Sequence, residues 1–356
     1  MPLLPKVSVV LITYNHEKFI EEAIGSILNQ DYKNFELIII DDGSRDKTAE
    51  KIKVFNDPRI RYQYQENQGP SSAINAGLKA VHGSYIAIMS GDDIALPMRL
   101  STQVNYLDHH PTISIVFSKV DIINETGVIF AKHPLAKLFN QFIDANMERH
   151  EMFRDLFFFG NKLNGVTPMF RHEAITKMGG FYTASLQLQD YLMWFDFLKH
   201  GEIGLLNQTL LQYRILNNSD NLSSKKNYKR IYFEQFAVFD KLLDNIDEGF
   251  FRETFKDDLL NKDFYGINAF NLEKAFVYMK HKEGLIKAIG LRNLFYLLQD
   301  EQFLAVYKHD YKKTLAEYYQ LTNQAYINDE NMLHPNMQFL LAFKRFLLRV
   351  IHYFFH

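Results

Sequence analysis

The sequence predicts an α/β protein: a doubly wound, mostly parallel sheet within residues 1–224, followed by a helical C-terminal region over 225–356. Three observations predict it. Short, mostly apolar runs alternate with stretches at helical spacing over about the first 90 residues, the signature of repeated βα units. Two of those runs end directly in acidic turns: Phe35–Ile40 in Asp41-Asp42-Gly43-Ser44, and Tyr85–Met89 in Ser90-Gly91-Asp92-Asp93. From about Lys225 onward the strand signals fade, and Phe, Tyr, Leu and Lys recur at helical spacing.

The elements follow in order. Val7-Ser8-Val9-Val10-Leu11-Ile12 is β-branched and uncharged, as a parallel strand buried on both faces is. Thr13-Tyr14-Asn15-His16 ends it. Phe19, Ile20, Ala23, Ile24, Ile27 and Leu28 then recur at helical spacing and predict a helix. After the strand Phe35–Ile40, Asp46-Lys47-Thr48-Ala49-Glu50 puts acid at a helix entry. Ile60–Tyr64 alternates like a strand, 71–81 reads as a helix, and Tyr85–Met89 is a strand again. Pro97-Met98-Arg99-Leu100 opens a helix that runs toward His109, and Ile113–Phe117 is a further strand. Residues 120–165 read as irregular apart from a helix over 148–159. Residues 164–170 read as a strand, Gly179-Gly180-Phe181 as a loop, and 190–199 as a helix bounded by Gly201.

Composition narrows the class. With 356 residues, 47% of them hydrophobic, the chain can build a full-sized domain and an appendage. Forty basic and 42 acidic residues leave a net charge of −2, which points to neither a nucleic-acid binder nor an acidic tail. The absence of cysteine excludes disulfides, thiolate zinc sites and cysteine nucleophiles. No GxGxxG and no Walker loop is present, which argues against a dinucleotide enzyme or a P-loop ATPase. None of the 13 histidines stands in a metal-ligand spacing. His16 and His172 read as surface or satisfied core groups, and Trp194 reads as packing. With no secretory leader and no uncharged stretch near the ~20 residues of a membrane span, a cytoplasmic protein is expected.

In open α/β sheets, ligands bind at the carboxyl ends of the strands. Two carboxylate pairs there, without a basic cluster in either turn, point to a nucleotide with a divalent cation. Hard cations take oxygen ligands and bridge to phosphates. Asp41-Asp42-Gly43-Ser44 reads two ways, as a common Asp-Gly turn or as a carboxylate that accepts from a base or ribose. Asp92 and Asp93 repel each other unless a cation or solvent relieves them. Asp190 reads as a helix N-cap or as a general base. The two are compatible, because a carboxylate at a helix start is rigidly placed.

Together these pieces resemble a family 2 glycosyltransferase of the GT-A fold, over about the first 215 residues. The resemblance rests on Val7 to Asn15, Ile27-Leu28-Asn29-Gln30 and Glu36 to Ser44. It continues through Ala73-Ile74-Asn75-Ala76-Gly77-Leu78, Gly83 to Asp93 and Pro97-Met98-Arg99-Leu100. It implies an inverting transfer from a nucleoside-diphosphate sugar, UDP-sugar first, to a glycan or lipid-linked hydroxyl in bacterial surface-glycan synthesis. It implies that Thr13, Tyr14, Asn15, Asp42, Asn75 and Asp92 meet the nucleotide, and that Asp93 holds Mn2+ or Mg2+. Asp190 is implied as the catalytic base, with Gly179, Gly180 and Phe181 around the acceptor. Four departures stand out. Ser90 replaces the first acid of the Asp-x-Asp-Asp form, and Gln68 to Ser72 lacks the family's Arg. Gln189 replaces a Glu, and Leu216 replaces the His of Tyr-Arg-x-His. They keep open an inactive sugar-nucleotide-binding scaffold, and a nucleotidyltransferase shares the sheet and acidic site. No nucleic-acid partner is expected. Residues 339–356 carry Arg345, Arg349, His352 and His356 on one helical face and apolar groups elsewhere. Such a helix lies in a membrane interface or docks on its own domain or a second subunit.

Overall fold

The computed structural model describes residues 7–144, 147–216 and 228–323. The elements through the sheet are β1 Val7–Thr13, α1 Ile20–Leu28, β2 Phe35–Asp41, α2 Thr48–Ile52, β3 Ile60–Tyr64, α3 Pro70–Leu78, β4 Tyr85–Ser90, β5 Ile94–Ala95, α4 Arg99–His109, β6 Ile113–Ile123, α5 Pro134–Asp144, α6 Arg149–Phe159, β7 Met169–Arg171, α7 His172–Lys177, α8 Gln189–His200 and β8 Glu202–Arg214. Helix α9, Tyr228–Asp240, follows.

The eight strands form one sheet in the order β3-β2-β1-β4-β7-β6-β8-β5. β1 pairs in parallel with β2 on one side and β4 on the other, and β2 with β3. β7 is antiparallel to both β4 and β6, so β6 runs in the direction of β4. β8 is parallel to β6. The carboxyl ends of β1, β2, β4, β6 and β8 therefore share one edge. Strand order reverses at β1, which makes the gap between β1 and β4 the topological switch point.

The alternation of side chains fixes what each face packs. Val7, Val9, Leu11, Leu37, Ile39, Ala87 and Met89 form one core with Ile20, Ala23, Ile24 and Ile27 of α1 and Leu100, Val104 and Leu107 of α4. On the other face α3 comes so close that a Cβ on Gly77 would lie 2.3 Å from Val10 Cγ1. Any side chain at position 77 would push the helix off the sheet. This accounts for the glycine of Asn75-Ala76-Gly77.

Three expectations are corrected. β6 extends to Ile123 and α5 occupies 134–144, where irregular chain was expected. The strand expected over 164–170 shrinks to Met169–Arg171. Asn164 starts a turn instead, its Oδ1 accepting from Val166 N and its carbonyl from the Thr167 amide and hydroxyl. β8 has no counterpart among the expected elements.

The chain divides into two units, Met1–Val238 and Phe239–His356. The division falls later than residue 224 because Glu234, midway along α9, bonds to residues 185–188 of the first unit. The second unit is helical as described: α10 Glu248–Phe255, α11 Gly266–Met279, α12 Gly284–Leu297, α13 Glu301–His309 and α14 Leu315–Asn323. α11 and α12 cross closely, since a Cβ on Gly290 would lie 2.6 Å from the Ala275 carbonyl oxygen. Among the described residues no helix is long and apolar enough to cross a membrane. The helix expected over 339–356 lies outside the described residues.

Candidate active site

Parallel pairing sets Thr13 opposite Asp41 and Ile12 opposite Ser90, so the turns after β1, β2 and β4 meet at the switch point. After β1, Asn15 takes a left-handed conformation (φ 55°). Its amide donates to Ser44 Oγ at 2.9 Å and its Oδ1 accepts from Arg45 N at 2.8 Å. Asn15 thus stitches the first turn to the second, and Tyr14 beside it is left 41% exposed.

The two acids after β2 have different work. Asp41 accepts from Ser44 N and the Tyr62 hydroxyl and is structural. Asp42 accepts from Gln65 Nε2 (2.7 Å), Gln68 N (3.0 Å) and Gly69 N (2.8 Å). A carboxylate has about four lone-pair sites, so one is left for a ligand. The segment that lacks the family's Arg is therefore held to Asp42 through its backbone.

After β4, the Ser90 hydroxyl donates to Asp92 Oδ1. The residue that replaces an acid orients its neighbour without adding charge. Asp92 Oδ2 lies 3.9 Å from His16 Nε2, and His16 Nδ1 lies 3.2 Å from Thr13 Oγ1. Gly91 makes this possible, because a Cβ there would fall 2.6 Å from Thr13 Oγ1 and 2.9 Å from His16 Nδ1. Asp93 is 1% exposed. Its Oδ1 accepts from Arg214 N at 2.9 Å, while its Oδ2 is buried with no hydrogen-bond partner among the described residues. Burial first, and Asp92 second, push its carboxyl well above the usual range, with Arg99 and Arg214 opposing.

Arg214 holds this turn. Its Nε donates to the Asp92 carbonyl (2.7 Å), Nη1 to those of Asn124 and Glu125, and Nη2 to Glu22 Oε2 (2.6 Å). The guanidinium lies over the Phe19 ring. Arg99, also fully buried, donates to the carbonyls of Ile88 and Val166, and burial lowers it to about 10. The donor set at Asp92 and Asp93 fits a hard divalent cation: oxygen only, with one orphaned carboxylate oxygen. Among the described residues no three His, Asp or Glu groups form a cage. That suits an ion bound by one or two carboxylates plus phosphate oxygens.

Asp190 stands in the first turn of α8, inside the helix, and Leu188 occupies the cap position. Its Oδ1 accepts from Tyr191 N (2.7 Å) and its Oδ2 from Asn161 Nδ2 (3.2 Å). Burial pushes its carboxyl up to about 6, against those two hydrogen bonds. A Cβ on Gly165 would lie 3.0 Å from Asp190 Oδ2, and the next residue's carbonyl, Val166 O, accepts from Arg99. The short segment 164–166 thus has Asp190 on one side and the arginine that faces Asp93 on the other.

The loop around the expected acceptor site is pinned by Asn75. Its Nδ2 donates to Phe181 O and its Oδ1 accepts from Phe181 N, both at 2.8 Å. Asn75, expected at the nucleotide, thus has its carboxamide engaged by backbone, with one N–H and one lone pair remaining. Gly180 has φ 84°, and a Cβ there would sit 2.5 Å from Asn75 Oδ1, so glycine is required on both counts. Gly179 (φ 81°) precedes it and Phe181 is buried.

Sequence reasoning passed over Asn161 and Glu234, read His16 as a surface or satisfied core group, and met Arg99 and Arg214 only inside family-like segments without giving them a role. Glu234 accepts from the Ser185 hydroxyl and from the amides of Leu186, Gln187 and Leu188, at 2.7–2.9 Å. Burial raises its pKa, but these bonds together hold it below the usual range.

A mostly parallel sheet with acidic turns at its switch point, and a third carboxyl group one short segment away, matches the class of GT-A transferases. The chain belongs to glycosyltransferase family 2. The family model described as Glycosyl transferase family 2 matches residues 8–166. An uncharacterized glycosyltransferase of Methanocaldococcus jannaschii is 33% identical over 63% of this chain and 76% of its own length. One of Rickettsia typhi is 30% identical over 59% of this chain and 64% of its own length, so the chain spans less than two thirds of that relative. Among solved structures, S. aureus TarS in complex with UDP has a TM-score of 0.55 at 17% identity, over 83% of this chain and 90% of that one. A mannosyltransferase from Pyrobaculum calidifontis in complex with GDP-Man and Mn2+ has a TM-score of 0.51 at 16% identity, over 90% and 84%. These two likenesses establish the shared fold.

Proposed function

We propose that the chain is an inverting glycosyltransferase that moves a sugar from a nucleoside-diphosphate sugar, UDP-sugar first, to a hydroxyl of a glycan or lipid-linked acceptor in surface-polysaccharide synthesis. Asp190 carries the reading. It is a carboxyl raised to about 6, bonded only to neutral groups, one short segment away from the acidic turn. A general base works best with a pKa near the operating pH. Two fold neighbours support the donor class: TarS has been solved in complex with UDP-GlcNAc, and the mannosyltransferase with GDP-Man and Mn2+.

In this reading Asp42 and the Thr13-Tyr14-Asn15 turn receive the base and ribose, with Tyr14 offering an exposed ring. Asp93, with Asp92 beside it, would hold Mg2+ or Mn2+, which supplies neutralisation of charge on the diphosphate. Asp190 accepts the proton of the acceptor hydroxyl as that oxygen attacks the anomeric carbon. The bond from that carbon to the diphosphate breaks, and the nucleoside diphosphate leaves with the electron pair. One displacement inverts the centre, and no covalent enzyme intermediate is needed. Gly179, Gly180 and Phe181 shape the acceptor side. A cytoplasmic enzyme, peripheral on the inner face of the membrane, goes with a lipid-linked acceptor.

The test is a thermal-shift screen with UDP, GDP, CDP and dTDP, with and without Mn2+, followed by donor turnover. A ligand bound only to the native state raises its stability. A shift with one nucleotide, larger with Mn2+, and hydrolysis or transfer of the matching sugar are expected. Folded protein with no shift would move the reading to an inactive scaffold.

A further inference from the structure

The carboxyl end of β6 carries a tongue that no part of the transfer chemistry uses. Residues 124–133 leave the sheet and double back. Asn124 Oδ1 accepts from the Thr126 amide and hydroxyl and from Val128 N, and the Phe130 amide donates to the Ile122 carbonyl at 2.7 Å. Ile129 bridges antiparallel to Ile123. Backbone and Asn124 thus hold the tongue in shape. Its apolar side chains do not: Val128 is 57% exposed, Ile129 46% and Phe130 43%, and Ala131 is exposed as well. Single exposed hydrophobics need no explanation, but four in a row on a well-bonded turn mark an interaction surface.

Charge selects the occupant. Lys132 follows the run directly, and Lys137 lies on the exposed side of α5 next to Leu138, itself 38% exposed. Neither lysine has a carboxylate within ion-pair distance among the described residues. The nearby Lys119 is by contrast paired with Asp144. An apolar tip flanked by free ammonium groups is complementary to an anionic bilayer, whose acyl boundary takes the tip and whose headgroups take the lysines. We infer that residues 128–132 are a membrane-insertion tongue for anionic lipid, with Lys137 as a second headgroup contact.

The tongue is joined to the acidic turn by one side chain, since Arg214 donates both to the carbonyls of Asn124 and Glu125 and to that of Asp92. Lipid insertion would therefore hold the donor turn against the surface where a lipid-linked hydroxyl is presented. That consequence rests on the proposed function; insertion itself does not, and is measured without any sugar.

The chain has one tryptophan, Trp194, which is 0% exposed and gives a constant background. Phe130→Trp in the full chain puts an indole at the tip, and Ile129→Trp is the second probe should the first fold poorly. With vesicles of phosphatidylglycerol and phosphatidylcholine, the emission should move to the blue and be quenched by lipids brominated in the acyl chain. Pure phosphatidylcholine should give a much smaller change. Lys132→Glu with Lys137→Glu should weaken the anionic-vesicle response by about tenfold or more. An indole that stays in water, neither blue-shifted nor quenched, on protein that still sediments with vesicles would overturn the proposal and assign binding elsewhere in the chain. So would a blue shift without lipid that grows with protein concentration, which would make the tongue a contact between two copies.

Discussion

The acidic turn after β4 and the start of α8 each bury a carboxyl group, yet they surround it in opposite ways. Asp93 sits among cations: Arg214 donates to it through its amide, and the guanidinium groups of Arg99 and Arg214 both oppose its protonation. Asp190 has no cation among the groups that set its pKa, only the Asn161 amide and the Tyr191 N–H. On the proposed reading the difference is one of task. Burial raises both carboxyl groups, but at Asp93 the two arginines, and a cation once bound, would work against that rise and favour the charged form. A base that must take a proton and give it up again would be served by neutral partners and a pKa near 6.

The largest effect should come from the uncompensated site. Asp190→Asn should lower turnover by about two to four orders of magnitude while the nucleotide thermal shift survives. The same change should stabilise the fold. Burial raises the Asp190 pKa from the ordinary aspartate range to about 6, so ionising it costs folding free energy above pH 6, and that cost vanishes below the unfolded value. The gain near pH 7.5 is on the order of 1–3 kcal/mol, to be read from urea unfolding. Turnover of the native enzyme should fall as pH drops through about 6, as the base becomes protonated, while the Asn variant's residual rate loses that limb. A native profile flat from pH 5 to 8 would remove Asp190 as the base.

At the compensated site, the arginine matters more than its charge. Arg214→Ala leaves the carbonyls of Asp92, Asn124 and Glu125 without their donor, which costs about 3–5 kcal/mol. The Mn2+-dependent part of the nucleotide shift should go with it. Arg214→Lys should recover little, because one ammonium cannot reproduce the fork of donors. Wild-type unfolding in either variant would mean that the turn holds itself.

The same contrast explains what could be read from the chain. The strands β1, β2 and β4 are continuous apolar runs because they are buried on both faces, and the turns that follow them stand out by composition. Asp42, Asp92 and Asp93 were legible for that reason, whereas Asp190, in the first turn of α8, stood out only as a helix-entry acid and through the family resemblance. α5 starts at Pro134 after a tongue of exposed apolar residues, which blurs its period. β8 pairs with β6 through register shifts at Ile113/Ile115 and around Lys119, so its burial does not alternate cleanly. Arg214 acts on residues about 90 to 190 positions back in the chain, and Asn75 on a loop 106 residues ahead. No local pattern carries such partners; only the sheet order brings them together.

The smallest effect separates holding from catalysing. Glu234 receives three backbone amides and one hydroxyl from residues 185–188, the turn that leads into α8 and Asp190. The same turn touches the donor half, where the Ser71 hydroxyl donates to the Ser185 carbonyl. Glu234→Gln keeps the shape but sets an NH2 against N–H donors, and should cost about 1–3 kcal/mol. Because the folded pKa of Glu234 is depressed, its contribution is present above the ordinary glutamate range and is lost as pH falls below it. The Gln variant should therefore converge with the native protein in acid. If the turn sets where Asp190 stands, kcat per folded molecule should drop about tenfold with donor KM little changed, since a small misplacement of a base is costly. If kcat holds and only stability falls, Glu234 secures the fold, and the geometry of the base comes from Asn161 and Gly165 alone.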